Sequence, residues 1–395
     1  MNIRQDFDID IIGGSFAGSA AAWQAARAGY SVAVLDRAHF PRRKACGEGI
    51  SKKGWQALIE IGVDRARIAA HSVKLSGYEV AVANSKLGAQ PFSVARKYAI
   101  DAEAGSVYGV NRRELEQQLR EHAEQSGCVI FIDGFEIQTI EKTGDGWLVG
   151  CGEYGIYGSQ LVLADGSRST SAEIMEIPST AVANPRVGYS IVVSGEFLSQ
   201  QTSVKVVKFP GIDLFCTPIS TTLLNISMVG RGNAMRQLRR KETQVIDVAS
   251  AHSNFRLTKI IESAGSSQVS SARRTHTFNG ALLCGDCLET FDPVGGMGMT
   301  HAIISGQLAG ESAAALVRGE SQRIVFNRYF EQLESEARLM RGYTRLCYLG
   351  VSHSLSRIVL PLSVKSGLAA TLARQVHSGS GKRHLLNLTG LARTN

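Results

Sequence analysis

The sequence predicts an α/β fold with three parts: a strand–turn–helix–strand unit, a region of half-buried antiparallel strands, and a helical C-terminal region. Three observations predict it. Ile9-Asp10-Ile11-Ile12 is a short β-branched apolar run, and the glycine-rich turn Gly13-Gly14-Ser15-Phe16-Ala17-Gly18 and an alanine-rich stretch follow at once. Segments at 187–194, 203–209, 214–219 and 224–229 read as strands, several alternating apolar and polar residues as one-sided antiparallel strands do. From 321 to 378 apolar residues recur at helical spacing, with Val325, Tyr329, Phe330 and Leu333 on one face.

The N-terminal unit is the most informative. Residues 19–28 are expected to be helical and closed by Gly29. Residues 31–35 read as a second buried strand ending at Asp36, 18 residues beyond Gly18. Strand, glycine turn, helix, strand and acid are the parts of a Rossmann-like dinucleotide site. Gly13 permits the tight turn, and Gly18 lets helix and strand pack closely. The helix start offers N–H groups to a pyrophosphate, and Asp36 can accept from an adenosine ribose. The middle glycine position holds Ser15, small enough to admit a phosphate. A plain βαβ unit needs no terminal acid, so the full context favours the dinucleotide reading.

The segment Phe40-Pro41-Arg42-Arg43-Lys44-Ala45-Cys46-Gly47-Glu48-Gly49 is a loop by its proline and glycine content. It reads either as a solvated basic turn or as a backbone lying close to a flat ring.

Composition narrows the classes. The 395 residues allow two or three domains at about 100–200 residues each. With 44% apolar and 20% charged residues the chain can build a packed core. The net charge of +8 is spread along the chain, so no nucleic-acid tract is expected. Seven scattered cysteines make no disulfide framework, and Cys284-Gly-Asp-Cys287 is the one close pair, so no metal site is expected. The opening residues carry no secretory pattern, and no stretch approaches the ~18 apolar residues of a membrane span. A cytoplasmic protein is the expectation, with peripheral lipid contact open for the 346–372 region.

Five segments resemble FAD-dependent oxidoreductases of the superfamily of geranylgeranyl reductases, aromatic hydroxylases (group A flavin monooxygenases) and flavin halogenases. They are the N-terminal unit through Asp36; the Phe40–Gly49 loop, similar to an "FPR-K-CG-G" segment; and Tyr108 to Leu119, similar to "V-x-R-x-x-L-x-x-x-L" with Arg112 as its arginine. The fourth is Ala164-Asp165-Gly166-Ser167-Arg168-Ser169, similar to "A-D-G-x-x-S". The fifth runs from Cys284-Gly285-Asp286 through Phe291-Asp292-Pro293-Val294-Gly295-Gly296-Met297-Gly298-Met299, and resembles "G-D-A … D-P-x-x-G-x-G". The resemblance spans residues 9 to about 317.

It implies an FAD-binding domain of the glutathione-reductase and p-hydroxybenzoate-hydroxylase type, made of 1–72, 108–180 and 271–320. A β-sheet substrate domain would comprise 73–107 and 181–270, and 321–395 would be helices and tail. Non-covalent FAD is implied, with NAD(P)H as a transient electron donor. The implied cofactor-binding residues are Gly13, Gly14, Ser15, Phe16, Ala17, Gly18, Asp36, Arg37, Lys44, Cys46, Gly47, Arg112, Asp165, Gly166, Gly285, Asp286, Gly295, Gly296, Met297, Gly298 and Met299. Asp286 would hold the ribityl hydroxyls, and the Gly296–Met299 N–H groups would face the flavin pyrimidine. The implied catalytic candidates are Pro293 over the ring, Glu48, Cys46 and His301. Tyr189 and Phe209 are further pocket candidates.

The expected activity is a monooxygenase acting through a flavin C4a-hydroperoxide. Its substrate would be an aromatic or other electron-rich group of a small molecule or of a protein side chain such as tryptophan. The alternative is a geranylgeranyl-reductase-like ene-reductase. A halogenase is disfavoured: Trp-x-Trp-x-Ile-Pro is absent, Gly295-Gly296 stands where a Glu-Ser pair is expected, and Lys74 reads as a plain strand lysine. A redox sensor or assembly partner is the non-catalytic class.

Overall fold

The structure is a computed structural model, and it describes residues 3–83, 94–101, 106–180, 185–239, 242–266, 269, 272–352 and 355–378. Residues 84–93 of the expected substrate domain and the tail from 379 onward lie outside the described residues.

An eight-stranded sheet forms the centre. Strand Ile3–Ile12 runs parallel to Val32–Asp36 on one side and to Tyr154–Leu163 on the other. Val129–Asp133 and Ala281–Leu283 extend the two flanks in parallel. Ile9, Ile11, Ile12, Val32, Val34 and Leu35 are fully enclosed, as expected of strands covered on both faces. Ile3–Ile12 begins well before the apolar run that signals it. Its first half pairs with Tyr154–Gly158 while Arg4, Gln5 and Asp6 face solvent, so hydrophobicity marks only the buried half. Helix Phe16–Ala26 covers one face and packs on helix Gly298–Val317.

A second, seven-stranded sheet has the order Phe255–Ser266, Arg186–Phe197, Leu223–Arg231, Ile212–Pro218, Ser203–Phe209, Gly77–Ala83, Val94–Asp101. All its pairings are antiparallel except Ser203–Phe209 with Gly77–Ala83. Gly49–Ser51, Val107–Val110 and Ser72–Leu75 form a separate three-stranded sheet. The 73–107 stretch is therefore shared between two sheets. Phe255–Ser266 had no clear sequence signal because it is an edge strand, with exposed side chains from Arg256 to Ile261.

Two helices, Gly232–Arg239 and Glu242–Ser253, lie between the strands Leu223–Arg231 and Phe255–Ser266. The C-terminal region comprises Gln322–Cys347, a π-helical turn at Tyr348–Ser352, Ser356–Lys365 with Pro361 inside it, and Leu368–Ser378. Val325, Tyr329 and Leu333 face the core as expected, but Phe330 is 41% exposed and lies off that stripe.

Candidate functional site

Two adjoining cavities run between the central sheet and the seven-stranded sheet. The first has a volume of about 480 Å3 and extends from Asp36 and Arg37 past Gly13 to Asp165 and Gly166. The second has a volume of about 180 Å3 and ends at Pro293, Gly296, Gly298 and Met299 under Val204, Phe215 and Ser227. Ser15, Lys44, Ala164, Gly166, Ser167 and Ser266 wall both, so the two form one channel.

The turn at the channel's middle explains its glycines. Gly13 has φ +105°, and a Cβ there would lie 2.5 Å from the Ala164 carbonyl oxygen. A Cβ on Gly18 would come within 1.7 Å of the Gly13 oxygen. The Gly14 N–H donates to Asp36 Oδ2 at 2.8 Å, and the Ala38 N–H donates to Oδ1 at 2.9 Å. Asp36 thus braces the turn while facing the channel, with lone pairs left for a ligand. Ser15 makes no side-chain cap for the helix it precedes, and neither does Met297 before Gly298–Val317. Both helix starts line the channel with uncapped N–H groups.

Ser15 instead donates its hydroxyl to Glu116, a residue the sequence reading missed. Arg112 donates from Nη2 to both Ser15 Oγ and Glu116 Oε1 at 3.0 Å. Its guanidinium lies 4.8 Å from the Phe16 ring centre, and Nη1 is 3.7 Å from Cys46 Sγ. Burial pushes Glu116 up, but Arg112, Arg42, the Ser15 hydroxyl and Lys44 together more than offset it and hold the carboxyl below its usual value. The i,i+4 spacing of Arg112 and Glu116 was the available signal. Lys44 Nζ stands 3.6 Å from Asp286 Oδ2 across the channel.

The Phe40–Gly49 loop is tied to the seven-stranded sheet. Arg43 donates to Glu48 Oε1 at 2.7 Å and to Ser190 Oγ at 3.0 Å, and Asn225 donates to the Cys46 carbonyl at 3.0 Å. Glu48 is 1% exposed, lines the second cavity, and has no partner for Oε2 among the described residues. Burial pushes its carboxyl up to about 7, against the pull of Arg43 and Arg112.

Not every expected residue faces the channel. Gly14, Gly18, Gly285, Gly295 and Met297 stand behind it: Gly285 packs on Ala17, Gly295 on Thr344, and Met297 is fully buried. Asp165 lines the first cavity, but its carboxylate accepts from Ser169 Oγ at 2.6 Å and from Ser171 N and Oγ at 2.9 Å. His301 lies behind Phe291, ring centres 4.9 Å apart, and burial brings it down to about 4 and keeps it neutral. Cys46, Gly47, Phe16 and Ala17 line the second cavity. Tyr189 instead donates to Glu242 at 2.9 Å, and Phe209 is buried within the sheet's core. Phe215 and Tyr78 join Phe16 and Phe291 as the second cavity's aromatic walls.

Asp292, next to Pro293, accepts from Arg186 Nη1 at 2.9 and 3.0 Å, and Arg186 also donates to Asp213. This buried cluster joins the Pro293 loop to the seven-stranded sheet.

An elongated channel suits FAD. It has a carboxylate at one end, an uncapped helix start and arginine in the middle, and a partly apolar cavity at the other end. Comparison with known proteins agrees. The profile of a family described as "FAD binding domain" matches residues 6–340. Menaquinone reductase of Mycolicibacterium smegmatis is 33% identical over 187 residues, 44% of this chain and 41% of that protein. The match therefore spans about two fifths of that relative's length. Digeranylgeranylglycerophospholipid reductase 1 of Methanopyrus kandleri is 25% identical over 374 residues, covering 84% of this chain and 87% of its own. Among solved structures, p-nitrophenol 4-monooxygenase from Pseudomonas putida superposes with a TM-score of 0.74 at 14% identity, covering 99% of this chain and 100% of its own. That likeness establishes the fold. With this profile covering most of its length, the chain belongs to the family described as FAD binding domain.

Proposed function

We propose that the chain is a flavin monooxygenase that hydroxylates an aromatic or other electron-rich group, on a small molecule or a protein side chain. The observation that carries this reading is the end of the second cavity against Pro293, walled by Tyr78, Phe215 and Phe291 and holding the buried Glu48 carboxyl. Bound FAD supplies electron transfer and oxygen activation. In balance, substrate C–H, dioxygen, NAD(P)H and one proton give substrate C–OH, water and NAD(P)+, with NAD(P)H as a transient donor.

The chain's own residues hold and tune this chemistry. The N–H groups at Ser15–Ala17, with Arg112 and Lys44, bind the pyrophosphate. Asp36 takes the adenosine ribose and Asp286 the ribityl hydroxyls. The N–H groups of Gly298 and Met299 would hold the flavin ring and favour the negative charge that grows there on reduction. Pro293 closes the cavity. Glu48 accepts a proton from a phenolic or similar group, which makes the ring a better nucleophile.

Alkene reduction is the second reading, favoured by the same Glu48. A carboxyl pushed up to about 7 still carries its proton in slightly acidic solution and can protonate one carbon of a double bond while the other takes hydride. The menaquinone and digeranylgeranylglycerophospholipid reductases among the relatives point the same way. Single turnover of reduced protein with isotopically heavy dioxygen and indole or resorcinol separates the two. The monooxygenase reading expects one heavy oxygen atom per product. Unlabelled ring with stoichiometric hydrogen peroxide contradicts it.

A further inference from the structure

Tyr78, on strand Gly77–Ala83, is a polar wall of the second cavity beside Gly296 and Pro293 that has so far had no role. Its hydroxyl lies 3.2 Å from Nε2 of His377 on helix Leu368–Ser378. The same nitrogen lies 3.2 Å from the hydroxyl of Tyr343 on helix Gln322–Cys347. Tyr343 also shares a hydrogen bond with the Cys347 thiol group. Three elements distant in sequence converge on one imidazole. His377 is 1% exposed, and burial alone brings it down to about 4, so the ring is neutral.

A neutral imidazole carries one N–H. Nδ1 of His377 has no partner among the described residues. A hydrogen on Nδ1 would bury an orphaned donor, whereas a hydrogen on Nε2 leaves only an unfilled acceptor. Buried orphan N–H groups are the rarer and costlier of the two. The tautomer assigned on this argument has Nε2–H donating to both tyrosine oxygens. Tyr78 cannot donate to a protonated Nε2, so its hydroxyl hydrogen is left for the cavity.

We infer that Tyr78 is the donor by which this cavity takes an oxygen atom of its ligand (a carbonyl, phenol or phenolate oxygen), with His377 and Tyr343 as positioning residues. The last described helix is then part of the ligand site. The inference deepens the proposed function by naming an oxygen-bearing ring as the ligand class. It rests on this cavity being the substrate site, and not on oxygen chemistry.

The test uses oxidised, FAD-loaded protein and two probes of one shape: acetophenone, with a carbonyl oxygen, and isopropylbenzene, with a methyl in its place. Binding is read from the flavin absorption band, without turnover. The wild-type protein should prefer acetophenone by about tenfold, the upper range for one neutral hydrogen bond. Tyr78→Phe should bind both probes equally, with isopropylbenzene unchanged. His377→Leu should cut the preference to about threefold. A role in folding alone would weaken both probes alike, and that outcome overturns the inference. So does a preference that survives Tyr78→Phe, or its absence in the wild type. A protein that proves to be an alkene reductase leaves this result standing.

Discussion

Arg43 donates to one carboxylate oxygen of Glu48 at 2.7 Å, and the other oxygen has no partner in the cavity wall. The ion pair holds the acid in place without fully stabilising its charge, and burial leaves it titrating near 7. A group acting as base works once deprotonated, so hydroxylation of a phenol should rise as pH rises through about 7. Glu48→Gln should flatten that rise and lower the single-turnover rate by about 10²–10⁴. A hydroxylation rate that instead falls through the same range would contradict the role of Glu48 as base.

Asp10 sits fully buried in the central strand with neither carboxylate oxygen partnered among the described residues. Burial, with a smaller push from Asp6, holds its carboxyl well above the usual range. The folded state therefore binds this proton more tightly than the unfolded chain. Its contribution to stability is full below the unfolded value and is lost as pH rises through the folded one. The Asp10→Asn variant, which does not titrate there, should lack this part of the pH slope. Urea titrations of both proteins between acid and neutral pH check it.

Gly18→Ala should cost about 1–3 kcal/mol or more, because its Cβ would meet the Gly13 oxygen at 1.7 Å. The clash lies at the turn that braces the channel, so FAD content should fall with the thermal midpoint. Gly232→Ala, which meets nothing within 4 Å, is the control and should change neither.

Arg186→Met should destabilise the protein by about 3–5 kcal/mol, the range for a buried pair that loses one partner. Asp213 keeps Lys208 at 3.9 Å, so Asp292 bears most of the loss. The Pro293 loop then loses its tie to the seven-stranded sheet, and FAD should dissociate faster. Urea unfolding and the rate of FAD release measure the two effects.

The N-terminal unit was legible because each of its parts carries its own chemistry: buried β-branched runs, a glycine turn and a terminal acid. The close packing of Gly298–Val317 was not read from the sequence, although the glycines that allow it stand in it. Gly306 and Gly310 sit four apart, and a Cβ on either would come within 2.2 Å of the facing helix backbone. The cavity's aromatic wall was not legible. Which side of a strand faces the cavity depends on pairing register, and a shift of one residue exchanges the faces. Tyr189 and Phe209 therefore fell away from the cavity while Phe215 and Tyr78 lined it. His301 was expected near the flavin because it follows the flavin loop, but it turns behind Phe291. The meeting of Ser15 with Glu116, or of Tyr78 with His377, joins residues 101 and 299 positions apart, beyond the reach of local pattern.

Reoxidation of the reduced protein tests the oxygenase assignment most directly. The bound flavin is reduced under nitrogen. One portion is mixed with dioxygen and an electron-rich aromatic, and another, still without oxygen, with a polyprenyl alkene. The account predicts rapid reoxidation and a hydroxylated ring in the first mixture, and a flavin that stays reduced in the second. Reoxidation by the alkene alone, with saturated product and no hydroxylated ring in the first mixture, would contradict it.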